Sequence, residues 1–145
     1  MPIARGGIGR GLISQSHAYR IEEGVAIIEV IGEQSFDDFI ALVKRVYADP
    51  AYRDDMPRIY DTRRQTSFFD VGEMIRLRDA LSRINAGRQM RRRLGVVALD
   101  AMVEKLVKLY RDVYDLKSDG GSLDIRFFTA FDDAMAWAKG GGASS

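Results

Sequence analysis

The chain has no cysteine in its 145 residues. That excludes disulfides, thiolate nucleophiles and Cys-ligated metal sites, and it fits a reducing compartment, so a cytoplasmic location is expected. Histidine occurs once, at His17, which excludes a multi-histidine metal site. His17 lies beside a glycine-rich stretch that offers no orienting partner for a general base. The paired carboxylates Asp54-Asp55 and Asp132-Asp133 read as loop and helix-start charges rather than metal ligands. Neither a cofactor nor a catalytic residue is expected. Long apolar runs are missing too: none approaches the ~20 residues that a membrane-spanning helix requires. The opening Met1-Pro2-Ile3-Ala4-Arg5 turns glycine-rich without the apolar core of a signal peptide. The formal net charge is only +1, so the molecule as a whole exerts no long-range pull on nucleic acid, which is an unlikely partner.

What is present is the composition of one globular domain, with a hydrophobic fraction of 46% and charged residues mixed among the apolar ones. A chain of this length buries about 70% of the surface its unfolded form exposes, enough for one core. Residues 1–17, with Gly6, Gly7, Gly9 and Gly11, read as a flexible arm; 140–145 read as a flexible tail. The glycines of the arm do not make a phosphate cradle, because no strand precedes them and no helix or Lys-Ser/Thr follows. A single domain over 18–139 remains.

Its periodicity alternates. Tyr19-Arg20-Ile21, the turn Glu22-Glu23-Gly24 and the β-branched run Val25 to Ile31 predict a hairpin. Ser35 offers a helix N-cap, and Phe36, Phe39, Ile40, Val43, Val46 and Tyr47 make one apolar face up to Asp49-Pro50. Arg58 to Asp61 predicts a short strand. Asp70 and Glu73 form a capping box for a helix carried by Val71, Met74, Ile75, Leu81 and Ile84, with Asn85-Ala86-Gly87 as its stop. Leu94 to Leu99 predicts a strand covered on both faces. Asp100 caps a helix through Tyr114, Leu123 to Phe128 is a strand, and Thr129 with Asp132 forms a capping box for a short closing helix. The order β-β-α-β-α-β-α-β-α predicts an α/β fold: a mixed, mostly parallel five-stranded sheet with about four helices.

Asp61-Thr62-Arg63 at the end of the third strand, Arg93-Leu94-Gly95-Val96-Val97 opening the fourth, and Phe128, Ala134 and Trp137 at the close carry a likeness. With this element order they resemble the STAS fold of anti-sigma factor antagonists of the SpoIIAA type, and small bacterial STAS-like proteins related to CRAL-TRIO lipid-binding domains. The likeness runs from about Ala18 to Ala138. It implies a non-enzymatic regulatory module acting through protein contacts, self-association (a homodimer) included, or a carrier or sensor of a small apolar or lipid ligand. The SpoIIAA-type regulators carry a phosphorylatable serine just after an aspartate at the start of the second helix. Here that stretch reads Asp70-Val71-Gly72-Glu73, so the usual phosphoacceptor is missing; Thr66 and Ser67 lie upstream and read either as plain loop hydroxyls or as alternative phosphate acceptors.

The candidate ligand- or partner-binding residues are Asp61, Arg63, Arg64, Phe68, Phe69, Asp70, Arg91 and Arg92. Seven arginines lie between Arg76 and Arg93. Guanidinium groups form bidentate contacts with phosphate or carboxylate, so Arg76, Arg78, Arg83, Arg88, Arg91, Arg92 and Arg93 either face an anionic partner, such as an acidic protein or a lipid headgroup, or form a solvated face paired with Asp79, Glu73 and Glu104. Arg63 and Arg64 are expected to approach the second helix from its N-terminal side. Phe68 and Phe69 either staple the helix start or line a pocket or a dimer contact. An enzyme reading would set Asp61, Arg63 and Asp70 around a cleft at the strand carboxyl ends, where open α/β sheets hold ligands.

Overall fold

The computed structural model describes residues 17–33, 35–88, 93–114 and 124–140. The arginines Arg91 and Arg92, the arm before His17 and the tail after Gly140 lie outside them. The elements follow the predicted order: β1 (His17–Glu22), β2 (Val25–Gly32), α1 (Phe36–Ala48), β3 (Arg58–Gln65), α2 (Val71–Asn85), β4 (Arg93–Val97), α3 (Asp100–Tyr114), β5 (Asp124–Phe128) and α4 (Phe131–Ala138). The strands lie in sequence order, β1 antiparallel to β2 and every later pair parallel. Strand β1 starts at His17, one residue inside the expected arm. The β1–β2 turn uses positive φ at Glu23 (54°) and Gly24 (78°). The second needs no Cβ and suits glycine, whereas the first is an uncommon posture for a side-chain-bearing residue.

Two cores result because successive strand residues point to opposite faces. One face buries Ala26, Ile28, Val30, Tyr60, Leu94 and Val96 under α1, α2 and α3; the other buries Val25, Ile27, Ile59 and Val97 under α4. Helix α1 is capped as expected, Ser35 Oγ accepting from Asp38 N at 3.3 Å. The Asp70–Glu73 box is reciprocal: Glu73 N donates to Asp70 Oδ1 at 2.8 Å and Asp70 N to Glu73 Oε1 at 3.0 Å. Two other expected caps are corrected. Asp100 sits inside the first turn of α3. At α4 the N-cap is Ala130 with no side-chain cap bond, so Thr129 does not cap it. The buried set is also shifted along the stripes: Leu42 on α1 and Leu77 on α2 point inward, while Val71 stands outside. The run predicted as a strand to Leu99 ends at Val97.

Candidate functional site

The expected site residues divide between the two faces of the sheet. Asp61 is only 6% exposed. It holds the Arg63 guanidinium from both oxygens, Nε to Oδ1 at 2.9 Å and Nη2 to Oδ2 at 2.8 Å. The Arg63 backbone N–H adds a third bond to Oδ1 at 3.2 Å. This bond set, with the fields of Glu29 and Asp132, raises the Arg63 pKa further and keeps it charged. Its guanidinium carbon lies 6.0 Å from the Phe131 ring centroid, so the pair belongs to the α4 face. The expected approach of Arg63 and Arg64 to the second helix does not occur, and the reason is a bulge. Glu29 pairs with Asp61 and Ile31 with Arg64, so β3 carries one residue more than β2 across this step. Consecutive residues of a regular strand point opposite ways, and an extra residue breaks that alternation. Both arginines therefore reach carboxylates on one side, Arg64 meeting Glu29 at 3.6 Å.

That side is where α4 is fastened. Arg20 lies 5.4 Å from the Phe131 centroid on the same side as Arg63. Arg93 and Arg126 lie 4.5 Å and 5.5 Å from Trp137. Arg93 also donates to the Trp137 carbonyl at 3.1 Å. Gly95 lies beneath: a Cβ there would sit 3.5 Å from both Phe128 and Trp137. The charges here are satisfied internally. They hold a helix that lacks a side-chain cap.

Asp70, Phe68 and Phe69 belong to the other face, at the carboxyl ends of β3 and β4. Asp70 is committed to its capping box, so Asp61, Arg63 and Asp70 do not surround one cleft. Phe69 is buried and meets Phe36 of α1 at 6.4 Å between centroids. Phe68 is half-buried. Both line a cavity of about 50 Å³ between α1, α2, α3 and the sheet, together with Met74, Leu77, Leu106 and Tyr110. Thr62 and Gln65 supply its side-chain polar groups from β3. Thr62 Oγ1 donates to the Val97 carbonyl at 2.9 Å, tying β3 to the end of β4. The rings of Tyr60 and Tyr110 also line it, and burial raises both phenol pKa values well above 10, so both stay neutral. Outside the cavity, Val71 (42% exposed) and Leu99 (54% exposed) put large apolar side chains in water at the start of α2 and just before α3.

Of the described arginines, Arg76 and Arg83 line one open groove between α1 and α2 with Lys44, Asp37 and Asp79, and the others lie apart from it. Arg76 covers the Phe36 ring at 4.1 Å. Arg78 donates to the Val113 carbonyl at 2.7 Å and pairs with Asp79 at 3.1 Å. Arg88 pairs with Asp54 at 2.7 Å over the Tyr47 ring. Each therefore closes a different seam, as far as the described residues show. Among those residues no group of three or more His, Asp or Glu is placed to hold a metal ion. No helix among them is long and apolar enough to cross a membrane. Sequence reasoning missed Thr62, Gln65, Leu77 and Leu99 at the cavity end and Arg20, Glu29 and Phe131 under α4. The available signals were the alternation of β3, which puts Thr62 opposite Asp61, and the position of Leu99 directly before a helix-start aspartate.

No family model matches the chain, and no curated protein matches it. Solved structures do. An anti-sigma factor antagonist from Mycobacterium paratuberculosis is similar at 20% identity with a TM-score of 0.50, covering 86% of this chain and 93% of that one. An uncharacterised protein with a SpoIIAA-like fold from Shewanella loihica is similar at 12% identity with a TM-score of 0.55, covering 85% of this chain and 94% of that one. At such identities the likeness establishes architecture: this chain has a SpoIIAA-like α/β fold.

Proposed function

We propose that this protein is a non-enzymatic regulatory module that works through protein–protein contacts at the carboxyl ends of β3 and β4. The observation that carries the reading is the pair of solvent-exposed apolar side chains there, Val71 and Leu99. Val71 and Leu99 follow the adjacent strands β3 and β4, and we take them as two parts of one exposed apolar patch, the kind of surface that marks a contact. The fold shared with an anti-sigma factor antagonist supports the same reading, since that protein is named for acting on another protein. Val71 stands where the resemblance places the phosphoacceptor serine, so the start of α2 offers an apolar contact in place of a phosphate switch. Asp61 and Arg63 enter this function only as the fastening of α4, and Arg64 only through its pairing with Glu29.

The test is affinity capture from the source organism with the wild type and with Val71→Asp/Leu99→Asp. A specific partner retained by the first and lost by the second, at unchanged melting temperature, is the expected result. Equal capture by both removes this surface from the function. Sedimentation of the same two proteins shows whether the partner includes a second copy. This cavity by itself is too small for a lipid: about 50 Å³ does not admit an acyl chain, given that a cavity of about 150 Å³ holds one benzene.

A further inference from the structure

The cavity under α2 is mostly apolar and lies at the same end of the sheet as the proposed contact surface. Its volume of about 50 Å³ is several times the ~10–15 Å³ that one water needs and about a third of that which holds benzene. No charged side chain lines it. A water against such mostly apolar walls finds few partners, so the half-open space favours an apolar guest. An empty volume also forfeits the dispersion contacts that a guest of the right size restores.

We propose that this cavity binds a small uncharged apolar molecule, and that occupancy sets the packing of the first turn of α2. The coupling follows from chain order. Phe69 forms part of the wall and directly precedes Asp70, whose carboxylate and amide are both locked to Glu73. A guest that moves the Phe69 ring moves the N-cap, and with it Val71. Met74, one turn on, lines the same space and adapts to guests because its side chain is unbranched and flexible. On the strand-end side the cavity meets Gln65 and Phe68. Gln65 Nε2 donates to the Ser67 carbonyl at 2.8 Å, which ties down the loop at this end of the cavity. The guest is uncharged because the walls offer no counter-charge, and smaller than benzene unless Phe68 and Met74 shift. The binding claim stands without any partner; its regulatory meaning rests on the proposed contact surface.

Xenon is the probe. Methyl-resolved NMR of the full chain under xenon pressure is expected to show saturable shifts confined to Val30, Met74, Leu77, Val96, Leu106 and Leu109. Leu109→Phe grows from a half-buried wall position into the cavity and is expected to bind xenon about tenfold more weakly. If Leu109→Phe fails to fold, Val96→Ile provides the same comparison with one added methylene. The absence of saturable shifts in the wild type, or equal shifts in a folded filled variant, overturns the binding claim. Hydrogen exchange at the Glu73 and Met74 amides is expected to change with xenon; unchanged rates overturn the coupling. Loss of xenon binding beside intact Val71-dependent capture removes only the cavity proposal, and the reverse pattern removes only the contact surface.

Discussion

The two faces of the sheet are held by different physics. Under α1, α2 and α3, three amphipathic helices press a broad apolar layer onto Ala26, Ile28, Val30, Tyr60 and Val96, and aromatic edges meet there, Phe39 against Tyr60 at 5.6 Å and Tyr110 against Phe127 at 5.5 Å. Under α4, one helix of eight residues covers a narrow strip, and guanidinium groups over Phe131 and Trp137 make up for its small area. The first face has area to spare and keeps a cavity. The second has little area and relies on cation–π contacts. The difference teaches that the cavity and the fastening of α4 fall on opposite sides, although Asp61, Thr62 and Arg63 are consecutive in the chain.

The comparison breaks if the faces respond alike to substitution. Phe39→Ala on the three-helix face is expected to lower stability by about 3–5 kcal/mol, read as a shift in urea midpoint; a loss below about 1 kcal/mol would mean that this face is not the main core. Alkaline titration sharpens the contrast, because the buried phenols belong to that same face. Burial pushes Tyr52 up to about 12 and raises Tyr60 and Tyr110 as well. Below pH 10 these phenols are neutral in both folded and unfolded chains. Above it the unfolded chain releases protons that the folded chain retains, so unfolding gains and stability falls as pH rises from about 10 through about 12. Melting curves across that range check it, and a flat profile would show that these rings are wet.

On the α4 face, Gly95→Leu is expected to cost about 1–3 kcal/mol by driving a side chain into Phe128 and Trp137, whereas Gly95→Ala, whose Cβ finds ordinary contact distances, is tolerated. Equal melting temperatures for the two variants would show that α4 is not seated as described. Arg93→Ala removes the Trp137 stacking and one carbonyl bond, for about 1–2 kcal/mol, and is expected to quench or shift the fluorescence of the single tryptophan. An unmoved spectrum contradicts the clamp. The smallest effect on stability belongs to Val71→Asp, within about 0.5 kcal/mol, because its side chain already stands in water; a larger loss would make Val71 a core residue and not a contact.

Much of the architecture is legible in the residues. The hairpin, the alternation of strands with amphipathic helices and the Asp70–Glu73 box all follow from local patterns, because period-2 and period-3.6 burial and side-chain caps act over a few residues. The site was legible only in part. Phe68, Phe69 and Asp70 were marked by their place at a helix start, and the structure brings Phe68 and Phe69 together at the cavity. Asp61 and Arg63 pair with each other, but on the far face. The cap expected at Thr129 failed because α4 begins at Phe131, so Ala130 occupies the N-cap position and has no side-chain oxygen to accept the bond.

By itself, then, the order of residues determined which segments become strands and helices and how they start, since these choices are settled by neighbours within one or two turns. The tertiary structure alone decided that one extra residue in β3 turns Arg64 toward Glu29, that Arg93 finds Trp137 44 positions away, and that space is left beneath α2. Those outcomes depend on the register between strands and on how large side chains from distant segments fill a shared volume, quantities that no local pattern carries.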